Sequence, residues 1–171
     1  MGEKLDERDQ AILQMIQENC KLTAKQIAKK INSPITTVFA KTKRMEELGI
    51  IKQYRAILSP EKMNLGTAAF ILASVSYRAK TNDAPVSQRV VAEEISRFPE
   101  VQEVHIITGD WDLLIKLRAE NVDAVGKFVV DKLRLIKGLE KTLTCMVFET
   151  AKETTSLPLL PKRNEKKPIN S

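Results

Sequence analysis

Between Lys25 and Arg44 the sequence carries six cationic side chains and no acid, on two short amphipathic segments that meet at Asn32-Ser33-Pro34. A surface of one positive sign suits phosphate, because neutralising phosphates and releasing their counterions supplies most non-specific affinity for DNA. Spacing adds a second possibility. Thr37, Lys41 and Arg44 repeat at helical intervals with Thr36, Ala40 and Lys43 beside them, so small, polar and positive side chains share one face. Threonine and alanine allow close approach to base edges and thymine methyls, and lysine or arginine reaches guanine or phosphate. Lys25, Lys29, Lys30, Ser33, Thr36, Thr37, Lys41, Lys43 and Arg44 are therefore the candidate DNA-binding residues. Thr36, Thr37, Lys41 and Lys43 are expected nearest to bases, and Lys29, Lys30 and Arg44 nearest to phosphates. A Lys-rich helical hairpin also occurs simply as a solvated face, and the hairpin alone leaves both readings open.

The elements that must position these residues are short and well punctuated. Thr23 with Gln26 three residues on is a capping box that starts a helix at Ala24, with Ile27, Ala28 and Ile31 on one face. Asn32 tolerates a left-handed turn, and Ser33-Pro34 offers a cap and a first helical residue for a second helix ending at Leu48 before Gly49. Val38, Thr42 and Met45 form its buried side. Upstream, Asp6 caps a helix with Asp9 in its first turn and Ile12, Leu13 and Ile16 as an apolar stripe. Three helices then share one core, the pattern of a helix-turn-helix that docks on DNA. After Gly49, IIKQYRAIL is rich in strand formers and is broken by Ser59, Pro60, Asn64 and Gly66, which predicts a wing strand and an interdomain linker.

From Thr67 the character changes. TAAFILASVSY predicts a strand, SQRVVAEEISRF a helix with Val90, Val91, Ile95 and Phe98 inward, and VQEVHIIT and DLLIKLRA two more strands. VDAVGKFVVDKLRLI predicts a second helix and LEKTLTCMVFET a fourth strand. The order β-α-β-β-α-β is that of a ferredoxin-like antiparallel sheet with helices on one face. The fold class is thus α+β, a winged helix-turn-helix followed by a βαββαβ domain. Boundaries fall at 1–50 for the first domain, 51–65 for wing strand and linker, 66–155 for the second domain, and 156–171 for a largely disordered tail. With no third layer to cover the open sheet face, a second copy of the chain is the simplest cover, and a homodimer is expected.

Charge follows the same division. Residues 1–65 carry 12 Lys and Arg against 8 acids, residues 66–151 carry 11 against 12, and the remainder 5 against 2, for a net charge of +6. An anionic partner would meet the N-terminal third first. No apolar run is long enough to cross a membrane and the N-terminus is too polar for a signal peptide, so a cytoplasmic protein is expected. Two distant cysteines, Cys20 and Cys145, and a single histidine, His105, give no metal-ligand spacing, and no Gly-rich phosphate loop or nucleophile elbow occurs. Neither a metal nor a resident cofactor is expected.

The stretch LDERDQAILQMIQENCKLTAKQIAKKIN, then KTKRMEELGIIKQY, the G-x-x-D of Gly109 to Asp112, and TLT from Thr142 resemble, in order and over residues 4 to about 155, the Lrp/AsnC or feast/famine family of transcription regulators. The resemblance implies an N-terminal domain for operator DNA. It also implies a C-terminal domain that dimerises, assembles further into tetramers or octamers, and often binds an amino acid between dimers. Matched motif to motif, it places Gly109, Asp110, Trp111 and Asp112 in the effector loop and Thr142 and Thr144 on the last strand as effector-binding residues. Asp112 would pair with an α-ammonium, and the threonine hydroxyls with a carboxylate. The sequence departs from the family pattern at Pro34, where a serine usually caps the recognition helix, at Thr42, usually Ile or Val, and at Trp111, often tyrosine.

Each of these residues also has a plainer role. Gly109 and Asp112 would simply make the turn of a β-hairpin, and Thr142 and Thr144 would be strand formers that alternate onto one face, toward a partner chain. Phe39 would touch a thymine methyl or pack against the wing, and His105 would be structural at the sheet surface. Two other functions compete with an amino-acid-responsive regulator: an architectural protein that coats DNA, and a sirohaem-decarboxylase-like enzyme on the same scaffold. A single histidine and an intact basic hairpin argue against the enzyme.

Overall fold

Two aspartates cap one another at the start of helix α1 (Glu7–Glu18). Asp6 Oδ1 accepts from Asp9 N–H at 2.8 Å and Asp9 Oδ2 accepts from Asp6 N–H at 3.0 Å. The structure is a computed structural model and describes residues 4–76 and 86–159. Thr23 and Gln26 form a second capping box, and α2 runs over Ala24–Lys30 as the sequence predicts. Asn32 adopts the left-handed conformation at φ 49°, and α3 (Ile35–Glu47) follows, with Gly49 at φ 67° turning the chain after it. Ile12, Val38 and Met45 are fully buried among the three helices. Each such side chain contributes roughly 1.5–3 kcal/mol by leaving water.

Two expectations fail in this unit. Pro34, at φ −60° and ψ 142°, takes the N-cap position itself and gives no side-chain cap. Ser33 therefore sits one residue too early for its hydroxyl to reach the first-turn amides, and its Oγ is buried without a hydrogen-bond partner among the described residues. The wing segment forms no strand: residues 51–66 are irregular apart from a 3-10 turn at Glu61–Met63. Strand-forming side chains need a neighbouring ladder, and none of the four strands pairs with this segment. Tyr54 is held instead by its hydroxyl, which donates to Glu46 Oε1 at 2.7 Å.

The second unit is a four-stranded antiparallel sheet in the order β2-β3-β1-β4, with β1 Thr67–Val75, β2 Val101–Ile106, β3 Leu113–Ala119 and β4 Leu139–Met146. Helices α4 (Gln88–Ser96) and α5 (Val122–Lys127) supply the other layer. Tyr77, at the end of the expected first strand, lies outside the described residues. The second helix does not run evenly to residue 136. It passes into a π-helical turn, Phe128–Lys132, and a 3-10 turn, Leu133–Leu135. That change of pitch buries Phe128, Val129 and Leu133 together, with Phe128 edge-on to Phe98 at 5.5 Å between ring centroids.

Alternation along the strands separates two faces. Ala69, Ile71 and Ala73 of β1 and Leu113, Ile115 and Leu117 of β3 are buried in the core that the helices close. The other face carries His105, Leu114, Leu72 and Leu143 in register across all four strands. Directly opposed residues share a face, so this row is a continuous stripe on the side away from that core. His105 lies here, 3.1 Å from Glu103 Oε2, and Lys116 Nζ donates to Glu103 Oε1 at 3.3 Å. The bond from His105, followed by that from Lys116, holds the Glu103 carboxyl below the usual carboxylate range.

The chain divides into two compact units, Met1–Ile57 with Glu153–Ser171, and Leu58–Lys152. Of the C-terminal segment, the described residues 153–159 group with the three helices. Gln17 and Leu157 exchange two hydrogen bonds, and Leu159 packs on the edge of the helical core. The remainder of the expected disordered tail, residues 160–171, lies outside the described residues.

Candidate nucleic-acid interface and effector loop

Helix α2 keeps Lys25, Lys29 and Lys30 exposed, opposite Ile27 and Ala28 in the core. Thr36, Ala40 and Lys43 of α3 are exposed and Thr37 is half-buried. Because Pro34 offers no side-chain cap, the first turn of α3 keeps amides that no side chain satisfies. Unsatisfied amides at a helix start are a favourable place for a phosphate oxygen. Phe39 is 64% exposed and borders a crevice with Cys20, Thr42 and Tyr54. Burial pushes the Tyr54 hydroxyl up to about 12, aided by its bond to Glu46.

Lys41 stands elsewhere than expected. Its ammonium donates to Asp6 Oδ2 at 2.5 Å and to Asp9 Oδ1 at 2.9 Å, and its side chain is only 18% exposed. Arg44 approaches the same Asp9 at 3.8 Å. Of the row Thr37, Lys41, Arg44, Lys41 is thus held at the start of α1, while Thr37 is half-buried and Arg44 stays exposed. The sequence identifies Asp6 as a cap and places Asp9 in the first turn of α1, but not as partners of α3, since nothing local links residues more than 30 positions apart.

The loop between β2 and β3 holds Gly109, Asp110, Trp111 and Asp112. Gly109 is at φ 119°, a conformation that favours glycine, and Ile107 N–H donates to the Asp112 carbonyl at 2.9 Å to close the hairpin. The Asp112 carboxylate is built into the fold: Oδ2 accepts from Val75 N–H at 2.7 Å and Oδ1 accepts from the Gln88 side-chain amide. One side chain thus joins the end of β1, the start of α4 and the hairpin. Gln88 is the residue that the sequence did not disclose. An amino-acid ammonium at Asp112 would share a carboxylate that already accepts from Val75 and Gln88.

Thr142 and Thr144 lie opposite Ala73 and Ile71 in the β1–β4 register. Both are half-buried on the face that the helices cover, so they do not point from the open face toward a partner chain. Ala73 is also the register partner of Leu113, and its carbonyl accepts from Asp112 N–H at 3.0 Å. Thr142 is therefore two strands, about 10 Å, from the residue that follows Asp112. Thr142 lies toward the loop's end of the sheet, and Thr144, opposite Ile71, sits at the middle of β1. Among the described residues no group of acidic, histidine or cysteine side chains is arranged to hold a metal, and no helix is long and apolar enough to cross a membrane.

Comparison with known proteins finds two family matches along the chain. A winged helix-turn-helix DNA-binding family model matches residues 5–52, and the Lrp/AsnC ligand binding domain matches residues 71–157. An HTH-type transcriptional regulator of Pyrococcus abyssi is 44% identical over 153 residues, covering 90% of this chain and 99% of that protein. Transcriptional regulator AzlB of Bacillus subtilis is 31% identical over 162 residues, covering 93% of this chain and 98% of that protein. Among solved structures, transcriptional regulator NMB0573 of Neisseria meningitidis in complex with L-Met superposes with a TM-score of 0.83 at 33% identity, covering 91% of this chain and 97% of that one. These relatives are regulators and not enzymes, which sets the decarboxylase reading aside. With basic α2 and α3 inside one matched region and the Gly109–Asp112 loop inside the other, the chain belongs to the Lrp/AsnC family of DNA-binding transcriptional regulators and carries that family's ligand-binding domain.

Proposed function

We propose that this regulator recognises a specific operator as a homodimer, and that an amino acid bound at the Gly109–Asp112 end of the sheet alters its assembly or its affinity for DNA. The observation that carries the DNA reading is α3 itself, whose uncapped first turn and exposed Thr36, Ala40 and Lys43 belong to the same compact unit as the exposed Lys25, Lys29 and Lys30 of α2. Two copies would read half-sites about one helical turn apart. The stripe His105, Leu114, Leu72, Leu143 supports dimerisation, because an apolar sheet face gains most by being covered. Dimers could assemble further into tetramers or octamers.

The effector reading is supported by the 33% identical Neisseria regulator solved with L-Met. Gly109, Asp110, Trp111, Asp112, Thr142 and Thr144 are the residues proposed to surround the ligand. Calorimetric titration of the full chain with each common amino acid, L-methionine included, tests this, with Thr142→Val expected to weaken the heat. No heat with any of them would remove the pocket. Fluorescence anisotropy against a duplex from the upstream region of its own gene and a scrambled duplex tests operator recognition. A preference of roughly a thousandfold supports a specific regulator, and equal affinity favours a DNA-coating role.

A further inference from the structure

Lys41 and Lys43 are two positions apart on α3, about 200° around the helix axis. Whichever of them faces α1, the other faces away. Lys41 is the inward one. Its ammonium gives two donors to two carboxylates of the α1 capping box, and Asp9, at 1% exposure, meets Lys41 through Oδ1 while its Oδ2 takes the Asp6 N–H and lies 3.8 Å from Arg44. Withdrawing Lys41 toward DNA would leave Asp9 buried without that partner and Asp6 beside it with like charge, which is costly in a desolvated setting. Lys43 has no such constraint: its side chain is 64% exposed and its ion pair to Glu47 is long, at 3.8 Å.

We propose that Asp6 and Asp9 are positioning residues for DNA recognition. They hold Lys41 as a brace between α1 and α3, so the base-reading row is Thr36, Ala40 and Lys43, and Lys41 touches neither base nor phosphate. This rests on α3 being the docking helix. It turns the reading face away from the Thr37, Lys41, Arg44 row suggested by the charge pattern. Recognition then depends on two acids that never meet DNA, because they fix how α3 is presented.

The test is the salt dependence of anisotropy binding by the full chain, on the upstream and scrambled duplexes, for wild type, Lys41→Gln, Lys41→Arg and Lys43→Gln. Each lost phosphate contact lowers the slope of log affinity against log salt by about 0.9. Lys43→Gln is expected to lower the slope by that amount or to change the preferred sequence. Lys41→Gln is expected to leave the slope unchanged while reducing the preference for the upstream duplex, and Lys41→Arg, which can keep both ion pairs, is expected to restore that preference. A slope reduced by about one in Lys41→Gln, or an unchanged slope and preference in Lys43→Gln, overturns the assignment. If wild type prefers neither duplex, the specific-operator reading fails, yet the variant slopes on either duplex still decide whether Lys41 meets phosphate.

Discussion

Gln17 and Leu157 are joined twice: the Leu157 N–H donates to Gln17 Oε1 at 2.7 Å, and the Gln17 side-chain amide donates to the Leu157 carbonyl at 3.2 Å. The pair anchors the returning C-terminal segment on α1, where Leu159 reaches the rim of the helical core. Gln17→Ala is expected to destabilise this unit by about 0.5–1.5 kcal/mol, read as a lower urea midpoint for helical signal. An unchanged midpoint would mean that the segment does not dock in solution.

Acid should loosen the brace between α1 and α3. The hydrogen bond from Lys41, then that from the Asp9 amide, lowers the Asp6 carboxyl from 3.8 to about 2. A depressed carboxyl stabilises the fold above its unfolded value, and that contribution is lost as pH falls through the folded one. Burial pulls the Lys41 ammonium down, but its bonds to Asp6 and Asp9 outweigh this and raise it above 10.5. The brace is therefore complete from about pH 4 to beyond pH 10. Urea midpoints measured downward from pH 4 should fall more steeply in wild type than in Asp6→Asn, which retains a capping side chain. Parallel curves would show that the pair adds nothing.

Asp112→Ala would leave the Val75 N–H and the Gln88 amide short of an acceptor. A loss of about 1–3 kcal/mol is expected, confined to unfolding of the sheet unit, with Asp112→Asn recovering part of it. Calorimetric loss of ligand binding in Asp112→Ala thus needs a melting curve beside it. A variant that melts like wild type would leave no structural role for this carboxylate.

Leu143 is 47% exposed at the end of the open-face stripe. Leu143→Glu should change monomer stability by no more than about 0.5 kcal/mol, yet place a charge where a second copy would pack. Size-exclusion chromatography with light scattering should show a dimer for wild type and a monomer for the variant. A dimer in both would move the interface off this face.

What could be read along the chain was what neighbouring residues decide among themselves. Thr23 with Gln26, Asn32 before α3, and the strand-forming runs of β1 and β3 are short-range devices, and each appears where the residues predict it. The βαββαβ order was legible for the same reason. The brace of Lys41 by Asp6 and Asp9, the Asp112 bond to Val75 and the return of Leu157 to Gln17 link residues 32 to 140 positions apart, and no local pattern encodes them. Ser33 illustrates a finer limit: its residue type suits a cap, but Pro34 sets the register, and one position is enough to bury the hydroxyl. The IIKQYRAIL segment shows the converse, since strand propensity without a partner makes no strand.

The docking of Leu157 on α1 also has a meaning for synthesis. On a ribosome adding about 5–20 residues per second, the three helices emerge and can fold well before residue 157 exists. The DNA-binding unit is then complete only after the whole intervening sheet unit has been made. A nascent chain cut short within that unit would carry three helices whose α1 lacks its final tie, and would be the easier target for proteolysis.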